Sequence, residues 1–518
     1  MPCTRFSSVA FTMALTLPAL AYAEGRRELS FQDALRVTLA HNGDVSVSQV
    51  DTQIAGDELA LADSIYDPRL VATARASKDN ELGTPARLAF TDRIFAASVE
   101  LAGRLTTGAT YSLGFSASNE RYFSPFVSVF NPAYLTQLSL SVTQPLLRGG
   151  GRDANNLPIV VAGLRRDLSQ QQLRVRLEQV VGDLEIAYWG LALAYKERDA
   201  RQSSLKLAQD QLAESARLVK LGSISDLDVV EAHAGVGRTQ QELLRAELQI
   251  TEAEGKLRQV SIGDPSWNPD EVLVPTDDPA IAHIDYAPEP HLKLARAHRP
   301  DVIAARAELQ AERAAQGVTE NGLMPQLDVI MTGGLIGFAG ELDSKSGTSA
   351  AFGPNFMPEP AALGGVGQAL KNLVVHGNYV VSLGLRLELP LANSAAHARN
   401  ERQAHATSRA QIAQQSLLLQ LDNEVRNSLA LLGEGEKLEQ AADDAVTIDM
   451  QLLAGMRKRF SSGAATSFDV LRVADQLVRA QIEAARARVN YRVSLTRLGL
   501  ADGTLLERYN ISLASPAH

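Results

Sequence analysis

The sequence predicts a mainly α chain with membrane β-strands, organised as a tandem repeat of long helical hairpins. Three observations carry this. The stretch Ile159–Leu221 has no proline and holds a helical apolar pattern throughout; at about 1.5 Å per residue it would run on the order of 90 Å, longer than a globular domain needs. Ahead of it, between Pro68 and Leu147, apolar residues fall at every second position, which is the signature of strands exposed on two different faces. The same order of segments then recurs in the second half of the chain, as in a duplication.

The long helix carries a heptad seam in Leu173, Leu177, Val180, Leu184, Ala187, Leu191 and Ala194. Gly222 stops it, and Ser225 caps a second helix with its own seam: Val229, Ala232, Val236, Thr239, Leu243, Ala246, Ile250, Ala253, Leu257 and Val260. A stop glycine followed by a capping serine makes a helical hairpin.

The first residues read as an export signal, 1–23: Arg5, an apolar Val9–Leu20, and Ala21-Tyr22-Ala23 before the cleavage point. The only cysteine, Cys3, leaves with it, and a chain free of thiols suits an oxidising periplasm. Loss of Arg5 takes the formal charge from −10 to −11, which argues against a nucleic-acid partner. No later run approaches the length of an apolar transmembrane helix, so a membrane role falls to the strands.

In chain order, Ser30 and Asp33 open a helix expected from about Phe31 to Ile65, which Asp67-Pro68 ends. Strands are expected from Leu70 and over Phe95–Leu101, Ala109–Ser118 and Leu135–Val142, each close to the length a tilted membrane strand needs. In the second half, Asn42 aligns with Arg299, Pro68 with Pro325 and Leu70 with Leu327 at one common offset. Strands Leu327–Phe338 and Tyr379–Leu389 flank a Gly/Ser/Pro-rich loop, Ala339–Gly377. A second long helix, His397–Phe460, reaches Gly463, and the seam Val473, Leu477, Ala480, Ala484, Ala487, Tyr491, Ser494 and Leu498 follows. The division is a first repeat, 24–262, a linker at 263–290, a second repeat, 291–498, and a tail, 499–518. Alanine-rich helices of this length cannot bury a core alone; they form curved walls whose closure calls for further copies of the chain.

These residues resemble the outer membrane efflux protein family, with the TolC channel its best known member. The carriers are Ala34-Leu35 through Asn42, Asp67-Pro68-Arg69-Leu70, Thr143-Gln144-Pro145-Leu146, Ala187-Tyr188-Trp189, Leu221-Gly222-Ser223 with Leu227-Asp228-Val229, Met324-Pro325-Gln326-Leu327, and Gly463 through Phe468-Asp469-Val470-Leu471. The resemblance implies a homotrimer whose strands make one transmembrane β-barrel, continued by a periplasmic α-barrel. It implies a passive exit duct in the outer membrane of a Gram-negative bacterium, partnered by a periplasmic adaptor and an inner-membrane pump, as in multidrug efflux. A type I protein secretion channel is the alternative within transport; a periplasmic coiled-coil scaffold is the alternative of another class. The sequence departs from the family in having four alternating segments in the first repeat against two in the second, in Asn42-Gly43 where Asn-Pro is common, and in Ser462 and Ala465 beside the second tip.

The resemblance assigns adaptor docking to the interhelical turns, through Leu221, Gly222, Ser223, Gly463 and Ala464. It offers Asp469, with Asp228 and Glu231, for a pore constriction, where symmetry copies of a carboxylate would select cations. The bland reading of those acids is stabilisation near a helix N-terminus, and that of the glycines is helix termination. Trp189, Tyr188 and Tyr491 read as packing residues; Tyr111, Tyr122, Phe123, Phe126 and Tyr134 are candidates for an interfacial girdle. Neither glycine cluster, Gly149–Gly151 or Gly364–Gly367, fits a phosphate loop. The scattered histidines and methionines make no metal site, and no cofactor or catalytic set is expected.

Overall fold

The computed structural model describes residues 25–78, 90–123, 129–221, 224–261, 271–279, 284, 286–342, 359–376 and 378–511. The expected signal, 1–23, lies outside the described residues. The described residues divide into two compact units, one drawn from 25–47, 174–299 and 421–511, the other from 48–173 and 300–420.

The second unit holds the sheet. Strands β2 (Arg69–Lys78), β3 (Phe90–Arg104), β4 (Thr110–Phe123), β5 (Phe130–Pro145), β7 (Gln326–Leu342) and β8 (Tyr379–Glu388) form one sheet in that order, with every neighbour antiparallel. The alternating segments are thus all strands, four from the first repeat and two from the second, each longer than or close to its expected span. Proline ends them: β5 stops at Pro145, and β8 halts before Pro390.

The step from β5 to the long helix uses Gly149 and Gly151, both at positive φ (79° and 92°), a conformation that costs glycine little. Asn321 pins the turn, accepting from the Gly149 N–H at 2.8 Å and donating to the Leu147 carbonyl at 3.2 Å. Asn155, buried, donates to the Gly149 and Gly151 carbonyls at 2.9 and 2.7 Å. The triple glycine is a strand-to-helix joint.

Between β7 and β8 the expected loop contains a helix, here α8 (Val366–Val375; α1–α7 are placed below). Ala369 and Leu373 face inward at helical spacing and are buried with Asn372, whose amide donates to the Phe338 and Ala361 carbonyls at 2.7 and 2.6 Å. The glycines of Gly364-Gly365 masked this helix in the sequence, but they precede it and serve as its entry.

The first unit holds most of the helical packing. β1 (Arg26–Leu29) runs parallel to β6 (Val272–Pro275), a pairing of two four-residue strands too short to show a period in sequence. Leu29 and Leu273 are buried there. The linker expected at 263–290 therefore carries a strand, and the tail expected from 499 carries the end of a helix and a short helical turn with Leu505 and Leu506 buried.

The helix expected from Phe31 to Ile65 is two: α1 (Phe31–His41) and α2 (Gly43–Asp63). Asn42 between them is extended, with φ −64° and ψ 121°. Its amide donates to the Val260 carbonyl at 3.1 Å, and its oxygen accepts from the Val45 N–H at 3.1 Å, ending one helix and starting the next. The break is duplicated: α6 (Pro288–His298) ends at Arg299, with φ −64° and ψ 125°, and α7 (Pro300–Asn321) follows.

The remaining helices match expectation within a few residues. After a single turn, α3 (Arg152–Asn155), come α4 (Leu157–Lys220) and α5 (Asp226–Val260), then α9 (Ser394–Ser461), α10 (Ser467–Asp502) and the turn α11 (Leu505–Arg508). In α4 the buried positions include Leu177, Val180, Leu184, Leu191 and Ala194, but also Val181, Glu185, Tyr188, Trp189 and Ala192. The seam is thus a broad stripe, because more than one neighbour covers it.

Candidate channel wall and interhelical turns

The sheet is amphipathic from edge to edge. Residues directly paired across strands share a face, so the register can be followed across all six strands. One row runs Leu70, Leu101, Leu113, Leu140, Gly333, Val381; the next runs Ala72, Val99, Phe115, Leu138, Leu335, Tyr379. The opposite face reads Arg69, Ala102, Ser112, Ser141, Thr332, Ser382 and Val71, Glu100, Gly114, Ser139, Gly334, Val380. One face is mostly aliphatic and aromatic; the other is mostly serine, threonine and glycine with interspersed charge, with Val71 and Val380 at its two edges. This is the pattern of a membrane barrel wall, apolar outward and polar toward the lumen.

Away from α8, which covers Thr136 and Gly337, the apolar face is bare. Leu383 and Leu385 are each 73% exposed and Leu70 is 69% exposed, an arrangement that water does not tolerate over a whole sheet face. Of the girdle candidates, Tyr111 lies on this face, its ring over Gly103, where a Cβ would come within 2.7 Å of the ring carbon bearing the hydroxyl. Tyr134 lies there too, its hydroxyl donating to Glu341 at 3.1 Å. Phe126 and the side chains of Tyr122 and Phe123 fall outside the described residues.

In the first unit, each of the two interhelical turns leads into a capping box. At the second, Gly463 takes φ 74°, its N–H donating to the Phe460 carbonyl at 2.9 Å and the Ala464 N–H to the Arg459 carbonyl at 2.8 Å. That pair of bonds is a Schellman motif, which closes a helix on a left-handed glycine. At the first turn Leu221 is exposed, while Gly222 and Ser223 lie outside the described residues.

Each descending helix then starts with a capping box. The Ser225 N–H donates to the Asp228 carboxylate at 2.9 Å. The Thr466 N–H and hydroxyl donate to Asp469 Oδ2 at 3.1 and 2.8 Å, and the Asp469 N–H returns a bond to the Thr466 hydroxyl at 3.2 Å. The Thr466 donors, with Arg472 and Arg459 nearby, hold the exposed Asp469 carboxyl below the usual aspartate range. Asp228 and Asp469 are thus helix-starting residues in this chain, and Glu231, one turn on from Asp228, is half-buried.

Ala465 packs against a cluster of Leu453, Phe460, Val470, Val473 and Ala474. Gly235 meets Leu471: a Cβ there would lie 2.8 Å from its terminal methyl. Ser467, fully buried, accepts from the Gln211 amide at 3.2 Å and lies 3.4 Å from the Ser215 hydroxyl. The Gln211–Ser215–Ser467 contact was invisible in sequence, since its members lie on helices distant in the chain.

A second buried polar group lies in this unit. Glu185, fully buried, accepts from Trp189 Nε1 and from Arg492, each at 3.4 Å, and the Arg492 guanidinium stacks over the Trp189 ring at 5.2 Å. Tyr188 is also fully buried, and burial pushes its hydroxyl well above the ordinary range. Tyr188, Trp189 and Tyr491 are packing residues as expected, with polar tips satisfied inside. Among the described residues no cluster of His, Cys, Asp and Glu could hold a metal ion, and no helix is long and apolar enough to cross a membrane.

No curated protein matches the chain in sequence. Residues 34–261 match the family described as outer membrane efflux protein. The fold is similar to the outer-membrane channel OprN, with a TM-score of 0.60 at 16% identity over 92% of this chain and 90% of that chain. It is similar to the CmeC outer membrane channel of Campylobacter jejuni, with a TM-score of 0.60 at 13% identity over 95% of this chain and 94% of that chain. The outer membrane protein VceC of Vibrio cholerae gives 0.58 at 16% identity over 91% of this chain and 96% of that chain. At such identities the likeness is one of fold, and it extends well past the region of sequence match. The sequence match to the outer membrane efflux protein family thus covers residues 34–261, and the likeness of fold to outer-membrane channels runs along nearly the whole chain.

Proposed function

We propose that this protein is the passive outer-membrane exit duct of a tripartite efflux system. Three copies close their sheets into one barrel, and the helical hairpins continue the duct into the periplasm. The observation that carries the reading is the six-stranded sheet with one polar face and one apolar face that is bare away from α8, in the same chain as four long helices. An isolated sheet of this kind would be a liability in water; in a membrane it is the wall of a pore. A coiled-coil scaffold has no use for such a sheet, and the reading of that class falls away.

The interhelical turns, with Leu221, Gly222, Ser223, Gly463 and Ala464, are the docking surface for a periplasmic adaptor, which links the duct to an inner-membrane pump. Asp469, with Asp228 and Glu231, supplies the carboxylates of the constriction. Export through a duct requires no catalysis by the chain.

The experiment is fractionation followed by functional replacement. The protein should be extracted from outer membranes only by detergent and run as a heat-sensitive oligomer, and deleting its gene should raise drug or metal sensitivity that the intact gene reverses. Recovery as a soluble monomer would reject the duct. In planar bilayers Asp469→Ala should lower cation selectivity; an unchanged selectivity removes Asp469 from the constriction.

A further inference from the structure

The two repeats do not contribute equally to the sheet, and the inequality has a definite form. Leu70 aligns with Leu327 and Pro145 with Pro390 in the duplicated pattern, so β2 corresponds to β7 and β5 to β8. In the second repeat β7 and β8 are direct neighbours. In the first, the hairpin β3–β4 stands between β2 and β5. It occupies the place in the chain where the second repeat carries the segment with α8. Inserting a hairpin leaves every pairing antiparallel, so the flanking strands keep their directions.

The inserted hairpin obeys the rule of the wall. Phe95, Ala97, Val99 and Leu101 continue the apolar face, and Ala96, Ser98 and Glu100 the polar one; on β4, Leu113 and Phe115 oppose Ser112, Gly114, Ser116 and Ser118. A flap outside the membrane would have no need of this alternation in phase with β2 and β5.

The two edges of the sheet are β2 and β8. Each is ten residues long, and β8 is exposed at every position, β2 at all but one. Being the first and last of six antiparallel strands, they run in opposite directions, so β8 of one copy can pair antiparallel with β2 of the next. Full overlap sets Arg69 opposite Glu388 and Ala72 opposite Leu385. This register keeps the faces: the alanines of β2, Ala72, Ala74 and Ala76, meet the bulky Leu385, Leu383 and Val381 on the apolar side. Arg69 meets Glu388 on the polar side.

We infer that the barrel of this protein has eighteen strands, six from each of three copies, closed by β8 of one copy on β2 of the next. The inference rests on the trimeric duct proposed above. Four strands per chain, two from each repeat, would have made a twelve-stranded barrel. Barrel diameter grows roughly in proportion to strand number, so the inserted hairpin widens the membrane bore by about half, into the range that leaves an open aqueous channel. The wider bore fits bulky solutes or chain segments better than small ions, and it places the size limit of the duct in its helical part.

The test uses the full chain purified from outer membranes. Electron cryomicroscopy should resolve eighteen strands with β3–β4 in the wall; a trimer with twelve, and β3–β4 outside it, overturns the inference while leaving the duct intact. A soluble monomer overturns both. Because Cys3 is the only cysteine and lies in the expected signal, introduced thiols report cleanly. Oxidation of A72C/L385C should give reducible, heat-stable dimers and trimers that neither single variant gives; A72C with L383C or L387C tests registers displaced by two. In liposomes S116C should react with a membrane-impermeant maleimide and F115C should be protected. Equal labelling of both places the hairpin outside the wall.

Discussion

The Tyr188 hydroxyl lies 2.9 Å from the Asp277 carboxylate and 3.0 Å from the Leu29 carbonyl, and it accepts from the Asp277 N–H at 3.3 Å. Asp277 also accepts from the Phe31 N–H at 2.7 Å. One buried hydroxyl on α4 thus ties the end of β1, the start of α1 and the segment after β6.

Tyr188→Phe keeps the ring contacts with Phe31 and Trp189, at 5.6 and 5.2 Å, and removes only the hydroxyl. It should cost about 1–3 kcal/mol, since buried partners lose their bond. Thermal unfolding in detergent reads this directly, and hydrogen exchange should rise at Arg26–Leu29. An unchanged midpoint would show that water replaces the hydroxyl.

The two faces of the sheet should answer oppositely to charge. Leu385→Arg places a cation on the apolar face and should cost about 2–4 kcal/mol near the bilayer midplane; assembly of heat-sensitive oligomer should fall. Ser382→Arg, on the polar face, should assemble normally. Equal tolerance of both would mean that the apolar face does not meet lipid.

Gly337 is a glycine because α8 leaves no room for more. A Cβ there would lie 2.1 Å from the Ala369 carbonyl and 2.6 Å from the Leu373 nitrogen, both backbone atoms. Gly337→Ala should displace α8 at a cost of about 1–3 kcal/mol, seen as faster proteolysis within Val366–Val375. A rate equal to wild type would show that the helix moves aside freely.

The capping box at Thr466 gives a pH dependence with a fixed sign. The folded Asp469 carboxyl is held below the usual value by donors that the unfolded chain lacks. Its contribution is complete above the unfolded value, about pH 4, and is lost as pH falls through the lower folded value. Thr466→Ala should remove about 1 kcal/mol at neutral pH, with a smaller penalty in acid. The measurement is amide exchange over the first turn of α10 from pH 7 to 3; a penalty that grows in acid would contradict the assignment.

Much of the architecture was legible because it is written in period. Leu177, Val180 and Leu184 mark a helix, and Leu113, Phe115, Leu138 and Leu140 mark strands, whatever they pack against. Gly463 announced its turn for the same reason: the left-handed conformation is a property of one residue. The break at Asn42 was missed because it depends on a carbonyl more than two hundred residues away, at Val260. β1 and β6 were missed because four residues cannot show alternation, and α8 because flanking glycines outweighed its short apolar stripe.

The sequence by itself determined the long helices, the alternating strands and the duplication, since each follows from local spacing of apolar residues and from proline or glycine at the ends. Only the tertiary structure decided which strands adjoin, that the first repeat's extra hairpin enters the same sheet, and that Tyr188, Glu185 and Ser467 find partners across the fold. Strand order and buried polar pairing join residues far apart in the chain, and such choices are made by closure and desolvation rather than by any local preference.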